Sequence, residues 1–457
     1  MKILLIRPPR IKNAISIGYL MYCEPLGLEM LSTILKPKNE IEIFDMIVDK
    51  QKLITKLKNY KPNVVGITSI GIDVEIIKKM SHLIKNFNSK IIIIIGGTQT
   101  FLDESVFFNK YIDHVVKYTN KNNISKLFYH INTNPPKING IFSKINNFKG
   151  TKIQGYNEYI FPDRKSTKKY RKHYSYYDYQ PVAIMQTSQG CSNRCNFCLR
   201  WKLEGHNERY FNFNSIKKEI KSINEKTIMI FDNDFLHEKK RLAKLCNFLE
   251  QEKINKNFIC YGTVKSILKN KKEIERFSKL GLVSVLVGFE SFNDKELKFY
   301  GNKNTNNDNF KANELLKKLN IKTYASFILN PNWNKKSFKK FRKNIKLFNA
   351  DITSISPLQP FYGSSIYNKY KNRLIVPIHD YKSWNLGTVV IKPSKMKLSS
   401  FYFQILITII YLNFVNKNFN SCLNIFIKNN PTTLKTGTIK ILINYLKLYF
   451  IALKKGL

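Results

Sequence analysis

Five consecutive isoleucines, Ile91–Ile95, run directly into Gly96-Gly97. Side chains along a strand point alternately to its two faces. A strand with no polar residue on either face must be covered on both. That condition belongs to parallel sheets flanked by helices. Lys2–Ile6, Ile41–Phe44, Asn63–Thr68 and His114–Val116 read as companion strands, and Pro25–Leu35 and Asp73–Ile84 between them have helical spacing. Residues 1–132 therefore read as an α/β, doubly wound, Rossmann-like domain.

Residues 133–180 change character and read as a linker. Asn132-Thr133-Asn134-Pro135-Pro136 is turn-rich, and Tyr170–Tyr179 is polar, aromatic and basic. A second series follows in 181–365. Its strand candidates are Val182–Gln186, Thr227–Phe231, Asn257–Gly262, Val283–Gly288, Lys322–Leu329 and Ile352–Ser356. Six strand–helix units fall short of the eight of a closed barrel, so a partial (βα)6 TIM-type barrel is expected. Residues 366–457 read as a helical tail, apolar-rich at Leu398–Val415 and Ile439–Leu453. Two readings stay open for it: a cap packed on the barrel, or a basic amphipathic surface resting on a membrane or a lipid-like substrate. No run reaches the roughly 18–20 apolar residues of a membrane span.

The 457 residues carry 77 Lys and Arg against 32 Asp and Glu, a net charge of +45. Lys, Asn and Ile are abundant throughout, buried-looking strands included. The charge is a compositional bias rather than a clustered basic face, and no nucleic-acid partner is expected. Seven cysteines are too sparse for a disulfide scaffold. The first residues enter a strand with no signal-peptide pattern. A cytoplasmic chain is expected, with peripheral membrane contact through the C-terminal helices as the second reading.

Three of the cysteines crowd into Gly190-Cys191-Ser192-Asn193-Arg194-Cys195-Asn196-Phe197-Cys198. Three thiolates spaced Cys-x3-Cys-x2-Cys on one loop can hold three corners of a cubane iron–sulfur cluster and leave one iron open. The loop follows the first barrel strand, at the end where barrel active sites lie. The competing reading is zinc, with His206 as a fourth ligand. Cys23, Cys246, Cys260 and Cys422 read as small buried hydrophobes. His114 and His130, like His206 if it is no ligand, read as structural or surface residues.

This loop, with Phe197 before the third cysteine, resembles that of the radical S-adenosylmethionine (SAM) superfamily. The resemblance implies a [4Fe-4S] cluster on Cys191, Cys195 and Cys198 whose open iron chelates SAM. One electron then cleaves the sulfonium bond to give a 5′-deoxyadenosyl radical. Phe197 inherits a backbone contact to adenine. Asp232-Asn233-Asp234 looks like the second-strand motif of the branch with an N-terminal cobalamin-binding domain, near the methionine end of SAM. Glu290-Ser291 looks like its fourth-strand motif, with Glu290 facing the ribose hydroxyls. Asp45, Ser69 and Gly96-Gly97 stand where that branch binds cobalamin. The tail from His379 to Tyr402 is similar to hopanoid-type C-methylases.

Three positions depart from the branch. No Asp-x-His-x-x-Gly motif places a histidine under cobalt, so cobalamin would be base-off with no protein histidine. The usual acidic turn after the fifth strand is replaced by Tyr118-Thr119-Asn120-Lys121-Asn122, and Gln359 stands where threonine is usual. The resemblance implies a cobalamin-dependent C-methylase acting on an unactivated carbon of a small-molecule or lipid-like substrate, fed by a flavodoxin or ferredoxin. Radical rearrangement or cyclisation without methyl transfer is the alternative within enzymes. A basic iron–sulfur nucleic-acid-binding protein is the alternative outside them.

Overall fold

The isoleucine run forms a covered strand. In the computed structural model Ile93, Ile94 and Ile95 are buried inside a six-stranded sheet. The structure describes residues 1–11, 15, 21–133, 136–149, 158–414 and 432–457, and their side chains except at 413, 414 and 432–436. Asn134, Pro135, Val415 and Cys422 lie outside the described residues.

The chain makes two compact units. The first is built on β1 (Lys2–Arg7), β2 (Glu40–Asp45), β3 (Val64–Ser69), β4 (Ile92–Gly97), β5 (His114–Val116) and β6 (Ile141–Ser143). Their spatial order is β2-β1-β3-β4-β5-β6. The first five are parallel and β6 is antiparallel to β5. Strand order reverses between β1 and β3, and a doubly wound sheet opens a ligand crevice at such a point, beyond the carboxyl ends of its strands.

This unit extends past the expected boundary at 132, as far as His173. The stretch read as a linker supplies the edge strand β6 and a 3-10 helix, Arg164–His173. Charge rather than apolar periodicity fastens that helix. Arg171 pairs with the buried Glu24 and Glu29, and Thr167 donates to Glu29. The Tyr170 hydroxyl donates to Asp49 at 2.8 Å, and Lys169 reaches Glu42 at 2.7 Å. Hydrophobic patterning carries no trace of such contacts.

The second unit holds β7 (Val182–Met185), β8 (Thr227–Ile230), β9 (Asn257–Gly262), β10 (Leu282–Glu290), β11 (Lys322–Leu329) and β12 (Ile352–Pro357). They pair in chain order and all in parallel, which is the expected open (βα)6 sheet. Phe289 and Phe327 turn outward, where Phe348 meets Phe289 edge-on at 4.7 Å. Alternation sends Gly288, Glu290 and Ser326 to the opposite, concave face. Met21–Tyr22, from early in the chain, also belongs to this unit and pairs with Ser175–Tyr176. Tyr174, Tyr176 and Tyr177 are buried within it, with the Tyr176 and Tyr261 hydroxyls 2.7 Å apart. Helices Leu398–Phe414 and Thr432–Lys454 lie together, and Phe401 meets Phe338 of helix Lys335–Phe348 edge-on at 5.1 Å. Among the described residues no helix is long and apolar enough to cross a membrane.

His114 is structural, as expected. It is 6% exposed on β5, and its Nδ1 lies 2.8 Å from the Ser143 hydroxyl. Burial lowers its pKa to about 4, with Asp113 opposing and Lys85 assisting. An unfolded histidine titrates near 6.5. Between those values the unfolded chain binds a proton that the native chain refuses, so stability falls as pH drops from about 6.5 to about 4, by on the order of 3 kcal/mol. His114→Gln should flatten that part of the stability–pH curve of the first unit, read by denaturant titration at pH 7 and pH 5.

Candidate functional site

The three thiols sit on a loop closed at its base. Ser188-Gln189 leaves β7 and pairs antiparallel with Arg209-Tyr210. Gly190 then turns at φ +92°, where a Cβ would stand 2.1 Å from the Asn207 carbonyl oxygen, so no other residue fits that turn. The Cys191 N–H donates to the Gly205 carbonyl. Further along, the Asn196 N–H donates to Tyr300 at 2.8 Å, its side chain donates to Phe299, and Trp201 Nε1 donates to the Cys195 carbonyl. The backbone N–H of Arg200 points at Cys198 Sγ, 3.4 Å away. Phe197 is half-buried and meets Tyr300 edge-on at 5.9 Å.

The acidic motif after β8 braces this loop. Asp232 is 1% exposed. Its carboxylate accepts from the Thr187 N–H at 2.7 Å, the Ser188 N–H at 3.1 Å and both hydroxyls, and it pairs with Arg241 at 3.0 Å. Asn233 donates to the Gly190 carbonyl and to Glu204, both at 2.8 Å, and accepts from Arg200. Asp234 is buried and accepts from Thr263, Ser266 and Asn193. Burial raises its pKa against those hydrogen bonds. Sequence reasoning missed Thr187, Arg200 and Arg241. No short motif carries them: their side chains reach Asp232 or Asn233 across 45, 33 and 9 residues of chain.

Glu290 ends β10 at φ +63°, with Gly288 beside it; a Cβ on Gly288 would meet the Glu290 carboxylate at 2.2 Å. Among the described residues that carboxylate accepts no hydrogen bond, and burial alone pushes its pKa up to about 8. Its charge is felt at Cys195 and Cys198. Ser291 donates to Glu296, and its hydroxyl accepts from the Asn293 N–H. Gln359, on the turn after β12, holds the segment ahead of the tail. It donates to the Thr388 carbonyl at 2.8 Å and accepts from the Leu386 N–H at 3.0 Å.

The three thiols are suited to a metal or cluster whose charge ionises them. Burial pushes the thiol of Cys191 up to about 11 and that of Cys195 to about 12, and raises that of Cys198. Such thiols ionise only against iron or a comparable charge. His206 is exposed and lies against Trp201, ring centres 4.9 Å apart. Cys246 and Cys260 are fully buried, as expected, while Cys23 is half-buried.

In the first unit the expected cofactor residues gather at the carboxyl edge of the sheet. Asp45 is fully buried; it takes a two-pronged pair from Arg7, with Nε–Oδ1 at 2.7 Å, and accepts the Ile47 N–H. The Ser69 hydroxyl donates to the Gly96 carbonyl at 2.8 Å. Gly97 has φ +107°, and a Cβ there would lie 2.6 Å from the Ser69 backbone. Just past the Ser69–Gly97 pair, Ile70 is 49% exposed. Bare backbone beside an exposed apolar side chain fits a flat, largely apolar group such as a corrin ring.

A thiol loop at the mouth of a parallel half-barrel, following a doubly wound unit, is the architecture of cobalamin-binding radical enzymes. Residues 185–345 match the radical SAM superfamily and residues 14–127 match the B12 binding domain. The chain thus carries a radical SAM domain and a B12-binding domain, and it matches the cobalamin-binding branch of the radical SAM superfamily. Those domains imply a [4Fe-4S] cluster, SAM and cobalamin. The chain is 24% identical over 240 residues to the hopanoid C-3 methylase of Methylococcus capsulatus, covering 52% of this chain and 46% of that one. It thus spans about half the length of that relative. It is 24% identical over 432 residues to an uncharacterized methyltransferase of Pyrococcus horikoshii, covering 87% and 88%. The fold matches the radical SAM methyltransferase TsrM from Kitasatospora setae, solved with cobalamin and a [4Fe-4S] cluster, at a TM-score of 0.66, 13% identity and 99% coverage of both chains.

Asp232→Ala strands two N–H groups, two hydroxyls and a guanidinium. Losing one partner of such a buried pair costs about 3–5 kcal/mol. The thermal midpoint of the barrel unit should fall by about 10 °C, with Asp232→Asn intermediate, as calorimetry would record.

Proposed function

We propose that this protein is a cobalamin-dependent radical SAM C-methyltransferase acting on an unactivated carbon of an apolar small molecule. The observation that carries the reading is a three-thiol loop beside a carboxylate, Glu290, that has no hydrogen-bond donor among the described residues, together with a B12-binding unit in the same chain. The similarity to a hopanoid C-3 methylase supports an apolar acceptor.

When bound, the cluster supplies the electron that cleaves SAM, and cobalamin supplies the methyl group. Cys191, Cys195 and Cys198 hold the cluster, and the N–H of Arg200 toward Cys198 Sγ tunes it. Glu290 accepts hydrogen bonds from the ribose hydroxyls; a carboxylate can take both. Phe197 offers backbone groups to adenine. Asp232, Asn233 and Asp234 act mainly by fixing the loop around the methionine end, since the hydrogen bonds of each already run to protein. Gly96 and Gly97 leave room for the corrin, while Asp45 and Ser69 hold the loops that frame it. Arg7 occupies Asp45, and the segment after β2, Met46 to Lys52, contains no histidine. The electron comes from a flavodoxin or ferredoxin.

Anaerobic protein with a reconstituted cluster should retain close to one corrinoid per chain after desalting. With SAM, reductant and acceptor it should form both 5′-deoxyadenosine and S-adenosylhomocysteine. The first product without the second would mean rearrangement or cyclisation instead. Absence of both, with tight salt-sensitive RNA or DNA binding, would sink the enzyme reading. Cys198→Ala should abolish SAM cleavage while corrinoid retention persists. Glu290→Gln should weaken SAM binding about tenfold, the worth of one charge-assisted hydrogen bond, as measured by equilibrium dialysis.

A further inference from the structure

The last 77 residues, 381–457, contain eleven lysines and no Asp or Glu. The whole chain has 32 acids in 457 residues, so this stretch departs even from the basic average. The structure adds a surface to that charge. On helix Thr432–Lys454 the buried positions Asn444, Tyr445 and Ala452 face the rest of the unit. Opposite them stand Ile439, Ile443, Leu446, Phe450 and Leu453, each 43–53% exposed. Their spacing of four and three residues keeps them on one stripe. Lys440, Lys447 and Lys454, all exposed, repeat every seven residues and form a second stripe along its flank. Phe403 of helix Leu398–Phe414 is 48% exposed and lies against Tyr449, ring centres 5.8 Å apart, which widens the apolar face.

We propose that this face docks on the surface of an anionic phospholipid bilayer, with helix Thr432–Lys454 lying in the interface plane. Four lysines and a partner helix exclude a span. A straight apolar stripe sinks to one depth only under a planar surface. The lysine stripe beside it can snorkel, stems on hydrocarbon and ammonium groups among lipid phosphates. A protein partner offers no such plane, and a second copy would bring its own lysines toward these.

The test uses the full chain with cluster and corrinoid loaded. Vesicles of phosphatidylcholine alone, or of equal parts phosphatidylcholine and phosphatidylglycerol, are sedimented with it. The protein should sediment with the anionic vesicles, much less with the neutral ones, and be released as salt rises. The triple variant Lys440→Gln, Lys447→Gln, Lys454→Gln should weaken partitioning roughly a hundredfold, about fivefold per lysine. Leu446→Ser with Phe450→Ser should weaken it independently of salt. Cluster and corrinoid absorbance, unchanged in both variants, would certify the fold. Equal binding to neutral vesicles, binding that survives both variants, or no vesicle binding would overturn the proposal. A concentration-dependent dimer in light scattering without vesicle binding would assign the face to a second copy instead.

Discussion

The Asp232 carboxylate holds together what the rest of the second unit presents. It receives the chain as it leaves β7, taking two successive N–H groups and two hydroxyls, and Arg241 neutralises it from the helix behind. Those two residues, Thr187 and Ser188, begin the loop that carries the thiols. A loop of this length between a strand and a five-residue helix would wander without a fixed origin. With Asp232 in place, Asn233 grips Gly190, and the start of the loop is as rigid as the sheet. The chemistry needs three sulfurs held in fixed relation, and the sheet delivers that through one buried acid.

Burial is used differently at Glu290. Asp232 is buried at a cost that five donors repay. Glu290 stands at a positive φ with no donor among the described residues, a conformation and an unmet polarity that folding alone would not favour. The two carboxylates lie at the ends of β8 and β10, the strands that flank β9, and divide the tasks of support and reception between them.

Much of this was legible in the residues. Ile91–Ile95 dictated a doubly covered sheet, and the spacing of Cys191, Cys195 and Cys198 put three thiols on one loop, because both signals are local. The helix Arg164–His173 was not legible. Its anchors, Glu24 and Glu29, lie far away in sequence, and a basic, non-periodic segment resembles a solvated linker until its acids are seen buried. The same holds for the return of Met21–Tyr22 to Ser175–Tyr176. Asp232-Asn233-Asp234 reads as a motif, yet its hydrogen bonds to Thr187, Gly190 and Thr263 do not, since they arise only where strands end side by side.

The early strand Met21–Tyr22 has a consequence for how the protein is made. Its partner, Ser175–Tyr176, leaves the ribosome on the order of ten seconds later at ordinary synthesis rates. During that interval the first sheet can assemble around a segment that already belongs elsewhere. Co-translational folding here cannot proceed as two finished beads on a string; the nascent first unit must hold one strand in reserve until the second arrives.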